Sequence, residues 1–421
     1  MLAWHVNNRL SYFYIFAPRN INIMIRIKPF LLLTAISFGF GASAQQGVFY
    51  YVNTNAEHIN SKTAAVVVND KGLVILNECS NSKYENPAVQ LIELNNSFIK
   101  TSENIINVDK MHSVSSMAKY GNGNYGIFTN SENGPVQLNI SKAYKDMGQV
   151  AIENQNQETF VEQVIIEKQI MVVSTDTESK GKYSIVLTSF DASDGAKQWT
   201  KKISSETNES ADAIVADNGG NVVILGRKYN ETATEYIPIL YKVDLKGGIV
   251  WKKSGVDMPS NFYSQNISVS NTGEIYYSCG LTQRAGILQT KVIKLDANGN
   301  TKRSININEF TGNGSMWLSS GKLLLYGSNF YTDSRQVVTK GSYVILDNDL
   351  NTLTNKSLSV NDKPDSDFNY ETTSSSDLQA AVEIASGSVV LVGKVTMPQA
   401  GGVERQNNTI VVVVDAYGNY K

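Results

Sequence analysis

Two cysteines and three histidines are all that the 421 residues contain of either type. A fold stapled by several disulfides is therefore excluded, and a zinc site has almost no ligands to draw on. No adjacent cysteine pair occurs, and neither the Gly-x-Ser-x-Gly elbow of a serine hydrolase nor the His-Glu-x-x-His helix of a metalloprotease is present. Runs of basic residues are missing too, and the net charge is −2. A nucleic-acid partner needs a cationic surface, so that class is set aside. Long apolar stretches are equally scarce, and none reaches the roughly 20 residues that a spanning helix requires.

The longest apolar run, residues 30–41 (FLLLTAISFGFG), has a different meaning. Arg26 and Lys28 precede it and Ala42-Ser-Ala44 follows it. A basic start, a short apolar stretch and a small-x-small end are the marks of an export signal. The expectation is a start at Met24, cleavage after Ala44 and a mature chain of residues 45–421. Residues 1–23 resemble neither a signal nor a domain. With no cysteine after the run, a lipid anchor is not expected, so the product would be periplasmic or extracellular. Loss of Arg9, Arg19, Arg26 and Lys28, with no acid among the first 44 residues, would take the charge to −6.

What the mature chain has in quantity is repetition. Residues 211–255 read as four strands joined by tight Asn/Gly turns, with a polar connection between the second and third. Residues 266–305 and 381–421 copy that plan, and weaker copies begin at Thr63, His112, Val161 and Ser315. The residue just before each second strand is Gly72, Gly123, Lys168, Gly220, Gly273, Gly321 and Gly387, a spacing near 50. A small sheet repeated at that period cannot bury its own faces, so neighbours must stack around an axis. The predicted fold is all-β, a seven-bladed β-propeller of four-stranded blades forming one domain over residues 45–421. The seventh unit stops after its third strand, and residues 48–52 belong to no unit. They are expected to supply the missing outer strand and close the ring. Cys79 and Cys279 then fall in blades far apart, beyond the roughly 7 Å that a disulfide spans, and are read as small buried side chains.

Within the repeats, residues 190–199 (FDASDGAKQW) place Asp191, Gly195 and Trp199 at a tight corner. Asp244, Gly247, Gly248 and Trp251 nearly repeat it, while Asp296–Gly299 and Asp415–Gly418 keep the corner without tryptophan. The pattern resembles the tryptophan-docking turn of pyrroloquinoline-quinone-type, or quinoprotein-like, propeller repeats. That resemblance implies a structural turn: an Asp accepting backbone N–H groups, a Gly at positive φ, and a Trp laid on the next blade. The family's dehydrogenases carry a vicinal disulfide beside the quinone, which this chain lacks. The resemblance therefore implies the non-catalytic branch, with no cofactor.

Other chemistry is thinly represented. Asp362, Asp365 and Asp367 lie in the longest connection and offer oxygens for calcium, but without the Gly turn and closing Glu of a calcium loop. Asp347 and Asp349 read as a turn. His58 and His112 fall between blades without partner motifs. The second turns are longer and more varied than the first and third: residues 227–235, 281–289, 328–340 and 394–408. On a rigid scaffold, variable loops carry binding, and Tyr229, Arg284, Tyr331, Arg335 and Arg405 would present aromatic and guanidinium groups there. The expected function is an exported binding or scaffold propeller that takes a protein or a surface glycan on this face. The alternative is a carbohydrate hydrolase or lyase whose acids converge at the axis, marked by raised pKa values in a polar pocket.

Overall fold

The computed structural model describes residues 3–7, 10–16, 22–25 and 49–421, less 53–58, 81–86, 109–110, 133, 153–160, 179–181, 205–207, 231–234, 256–261, 283–287, 334–335, 359–374 and 399–404. The chain divides into Met1–Gly47 and Val48–Lys421. In the first unit Ala3–Asn7, Leu10–Phe16 and Asn22–Ile25 form a three-stranded antiparallel sheet. Met24, the expected start, pairs with Tyr14 in it. The apolar run and the expected cleavage site lie outside the described residues, as does His58.

The second unit is built of seven four-stranded antiparallel sheets. Their first strands, in chain order, are Ile59–Asn69, Met111–Lys119, Val161–Ile166, Glu209–Ala216, Phe262–Val269, Phe310–Trp317 and Ser375–Glu383. Each first strand touches the next, and the seventh touches the first. They therefore line a central axis, and the sheets are blades 1 to 7 of a closed β-propeller. Second and third strands carry β-branched and aliphatic residues at consecutive positions because both faces are covered: Gly72–Ser80 and Ala88–Asn95 are buried almost throughout. The fourth strands meet solvent, and Asp146–Ala151 of blade 2 is exposed along its whole length.

The hydrophobic cores are the wedges between blades. Seven buried clusters are found among the described residues, one for each neighbouring pair. Val66, Leu73 and Ile92 of blade 1 interlock with Ala380, Val390 and Val411 of blade 7, so this packing itself closes the ring. Thr63 N–H also donates to Gln379 Oε1 at 2.7 Å, and Asn77 Nδ2 to Thr409 Oγ1 at 3.0 Å, across the same seam. Phe49–Val52 lies outermost in blade 7, antiparallel to its third strand, in the register Phe49↔Val412 to Val52↔Thr409. Neither Cys79 nor Cys279 forms a disulfide, and both are buried.

The third turns fasten blade to blade. Asp296 Oδ1 accepts the N–H groups of Asn298 and Asn300, both at 2.9 Å, and Asp347 and Asp415 repeat the arrangement. Those bonds from Asn300, backbone first, hold the Asp296 carboxyl below its usual range. Gly247 and Gly299 adopt φ of 78°, and a Cβ there would meet Trp199 and Trp251 of the preceding blade at 3.3 Å. Arg303 and Thr354 occupy the tryptophan's register in blades 5 and 6. They reach the next corner by hydrogen bonds to Asn351 Oδ1 (3.3 Å) and Tyr417 O (2.7 Å). In blades 1, 2 and 6 the left-handed position belongs to Phe98, Tyr144 and Leu350, whose side chains fill the wedge that a glycine leaves open. One position thus docks successive blades with different chemistry. Trp251→Ala is expected to cost about 3 kcal/mol in urea unfolding, the low end for a tryptophan deletion because this ring is half-buried.

Candidate functional site

First and third turns open on one side of the ring; second turns and blade-to-blade links open on the other. At the second-turn end several innermost strands carry a bulge. The register slips at Thr63/Ala65, Ala211/Ala213, Gly312/Gly314 and Leu378/Ala380, which leaves Ala64, Asp212, Asn313 and Gln379 as extra residues. A bulge bends its strand and re-aims a side chain. Three second strands make room for it with a glycine directly opposite. A Cβ at Gly226, Gly327 or Gly393 would collide with the carbonyl oxygen of Ser210, Thr311 or Asp377. These glycines are required by close approach of backbone.

The re-aimed polar groups knit the mouth of the axis. Asn313 Nδ2 donates to Asp377 Oδ1 (2.6 Å) and Leu378 O (2.9 Å), and Gln379 Nε2 donates to Asp377 Oδ2 (3.2 Å). Glu78 Oε2 takes the N–H of Val114 at 3.1 Å, and Glu162 Oε2 that of Ile214 at 2.9 Å. Asp212 holds Arg227 through Nε, at 3.0 and 2.9 Å, and through Nη2.

Three of these acids have raised pKa values. Burial lifts Asp212 against the hydrogen bond and charge of Arg227. Burial also lifts Asp377 against hydrogen bonds from Gln379, Asn313 and Ser328. Glu162 is pushed up to about 7 by burial, opposed by the Ile214 N–H, with the charge of Asp212 adding to it and that of Lys62 working against it. Between its ordinary 4.5 and about 7, folded Glu162 holds more proton than the unfolded chain does. Its contribution to stability therefore falls as pH rises through that window. Glu162→Gln is expected to remove this slope and to gain roughly 3 kcal/mol above pH 7, read from urea midpoints at pH 5 and pH 8.

Beside the mouth, blades 4 and 5 build an aromatic clamp. The Arg227 guanidinium lies 5.7 Å from the ring centres of both Tyr236 and Phe262. Tyr229 packs on Tyr236 with centroids 5.3 Å apart. Tyr229 N–H is fixed by Asn208 O at 2.9 Å, while Tyr236 stays 48% exposed. This patch needs a fixed guanidinium between rings, and Asp212 supplies the fixing.

Of the five sequence-selected residues, Tyr229 is therefore in the clamp. Tyr331 and Arg405 are placed on strands, opposite Val338 and Pro398, and their side chains are not described. Arg284 and Arg335 lie outside the described residues, as do Asp362, Asp365 and Asp367. The described parts of two expected long loops, 328–333 with 336–340 and 394–398 with 405–408, are strand. Blade 6 pairs Leu323–Asp333 with Gln336–Leu346 out to Asp333↔Gln336, and blade 7 pairs Val389–Pro398 with Arg405–Val414 out to Pro398↔Arg405. Their Ser, Asn, Arg and Gln content reads as loop. A hairpin arm projecting beyond a blade can nevertheless keep its ladder while both faces bear polar residues.

Sequence reasoning missed Asp212, Glu162, Asn313 and Asp377. For Asp212, Asn313 and Asp377 the signal was the recurrence of a glycine late in the second strand, at Gly226, Gly280, Gly327 and Gly393; blade 3 has no such glycine, and nothing in the sequence marked Glu162. Among the described residues, no three His, Cys, Asp or Glu side chains gather to hold a metal, and no helix is long and apolar enough to cross a membrane.

The class is thus a seven-bladed β-propeller with a polar axial mouth and an aromatic rim. No family model matches the chain, and no curated protein matches it. Among solved structures it is similar to a protein of unknown function from Dyadobacter fermentans, with 10% identity over 87% of this chain and 98% of that one, TM-score 0.49. It is also similar to the Dos1 propeller (11% identity, 87% and 96% covered, TM-score 0.46) and to Drosophila Semaphorin 2a (9% identity, 87% and 75% covered, TM-score 0.49).

Proposed function

We propose that this protein is an exported binding or scaffold propeller of the quinoprotein-like repeat class, which takes a protein or surface-glycan partner on its second-turn face. The observation that carries the reading is the clamp of Arg227, Tyr229, Tyr236 and Phe262, a preorganised guanidinium–aromatic patch on that face. Such groups give large contact area for little lost side-chain freedom and dominate interface energetics. Export rests on the basic, apolar and small-residue succession before Gln45.

The hydrolase reading has one observation in its favour, the three acids of raised pKa at the mouth. Two of them are already spent: Asp212 holds Arg227, and Asp377 accepts from Asn313 and Gln379. Two-carboxylate cleavage needs a pair of acids free to act on one bond, so binding is the reading the geometry favours.

The test is capture from cell-surface extracts and from a glycan array by the full chain and by Tyr229→Ala/Tyr236→Ala, which removes one half-buried and one exposed ring and leaves the Asp212–Arg227 pair in place. Loss of about 2 kcal/mol, near thirtyfold in Kd, is expected for the double variant. A partner retained at full affinity would show that the face is not this one. N-terminal sequencing of the exported product should begin at Gln45.

A further inference from the structure

The clamp on the rim is only half satisfied. Asp212 takes Nε and Nη2 of Arg227 and so occupies one edge of the guanidinium. Among the described residues no acceptor meets Nη1, and Nη1 is not one of the buried atoms left without a partner, so the second edge opens to solvent. Tyr236 and Phe262, each with its ring centre 5.7 Å from Cζ, flank the guanidinium. Tyr229 leans on Tyr236 with the two rings inclined at 58°. Neither phenol has a hydrogen-bond partner among the described residues. One small space on the rim therefore holds an open guanidinium edge, two unpaired phenols and the exposed ring of Tyr236.

Chemistry restricts what this space can hold. Nη1 carries two N–H donors and no acceptor, so the group that meets it must accept. The charge of Arg227 is already matched by Asp212, and Lys228, next on the strand, projects from the opposite face. An anion would stand against the Asp212 carboxylate, so a neutral acceptor fits better. Exposed apolar surface is also small. Among the described residues beside the second turns, only Tyr183 of blade 3 and Tyr236 of blade 4 are large apolar side chains left exposed. A protein interface of ordinary size buries about 800 Å² on each partner around an apolar core. A single exposed ring with donors beside it matches instead one sugar ring, whose C–H face is apolar and whose edge is polar.

On the reading that the second-turn face is the binding face, we propose that the clamp binds an N-acetylated amino sugar of a surface glycan. The acetamido oxygen accepts from Nη1 of Arg227, the apolar face of the sugar rests on the Tyr236 ring, and its hydroxyls meet the phenols of Tyr229 and Tyr236. The acetamido group supplies what a plain hexose lacks. Its carbonyl oxygen accepts without turning a donor toward Nη1, and its methyl group adds apolar contact with the flanking rings. Hydrogen bonds to a charged donor are the stronger ones, which sets the acetamido oxygen above a hydroxyl in this position. Because Asp212 already fixes the guanidinium, little side-chain freedom is lost on binding.

The experiment is calorimetric titration of the full chain with triacetylchitotriose, with cellotriose, which has the same backbone without acetamido groups, and with the de-N-acetylated trimer. Triacetylchitotriose should bind at least about tenfold more tightly than either of the others, the worth of one hydrogen bond to a charged donor. Tyr236→Ala, a truncation at an exposed position, should weaken it by about tenfold. Asp212→Ala/Arg227→Met should bind triacetylchitotriose and cellotriose alike, because the donor is gone. Tyr417→Ala, 63% exposed at the third turn of blade 7 on the other side of the ring, should leave binding unchanged. Equal binding of triacetylchitotriose and cellotriose by the parent, discrimination retained by the folded Asp212→Ala/Arg227→Met protein, or no saturable heat with triacetylchitotriose overturns the proposal. If a protein or an acidic glycan is captured through Tyr229 and Tyr236 while triacetylchitotriose gives no heat, the sugar is wrong and the binding face stands. If triacetylchitotriose binds Tyr236→Ala as tightly as the parent, the binding face falls with it.

Discussion

Asp212→Ala is expected to destabilise the protein by about 3 kcal/mol, among the largest effects of any single side-chain deletion in it. The carboxylate accepts from Nε and Nη2 of Arg227, and the arginine side chain is only 29% exposed, between two aromatic rings. Removing the acid leaves a guanidinium desolvated on both faces without a partner, and breaking one half of a buried pair costs more than the pair contributes. The measurement is the urea midpoint at constant slope. Asp212→Ala/Arg227→Met should recover to within about 1 kcal/mol of the parent, because an apolar chain of similar length can fill the slot between Tyr236 and Phe262. If the double variant is as unstable as the single, the loss comes from the bulge itself and not from the orphaned charge. The pair also holds the rim in shape, so the recovered variant should still bind poorly through that face.

The second large effect is expected at Gly393→Ala, at about 3 kcal/mol or more. A Cβ at 393 would run into the carbonyl of Asp377 and approach Leu378 Cα to 2.9 Å. Both atoms are backbone of the bulged innermost strand and cannot swing aside as a flexible side chain would. Relief requires the bulge to shift, and with it Asp377, Gln379 and the bond that Gln379 accepts from the Thr63 N–H, which helps join blade 7 to blade 1. Gly387→Ala, a few residues earlier, provides the comparison. Its φ is 72° and nothing stands within 4 Å of the added carbon, so it should cost only about 1 kcal/mol of left-handed strain. Thermal unfolding of the two variants side by side separates backbone collision from conformational preference. Equal losses would refute the argument from close approach.

The two glycines also show what could be read in advance. Gly387 sits in a turn between two strands, one of a set that recurs at Gly220, Gly273 and Gly321, and its positive φ follows from local chemistry alone. The corners at Asp296, Asp347 and Asp415 were legible for the same reason, since an aspartate two to four residues before the amides it caps needs no distant partner. Trp199 and Trp251 could be seen as docking residues because their corner repeats. Arg303 and Thr354 could not, since they do the same work in the same register with unrelated side chains. The hairpin arms of blades 6 and 7 were hidden by their polar composition, which is indifferent to whether the backbone is paired.

The amino-acid sequence by itself determined the period, the number of blades, the tight turns and the side of the ring that varies, all of which follow from interactions within one unit of about 50 residues. Tertiary structure decided which side chains meet at the axis. Glu162, Asp212, Asn313 and Asp377 come from blades 3, 4, 6 and 7, and no spacing along the chain predicts their company. Asp212 and Asn313 owe their directions to single-residue register slips in their innermost strands. A slip of one residue turns a side chain from the wedge to the lumen without leaving a mark in composition, because it is set by how closely the facing strand, through one glycine, allows two backbones to approach.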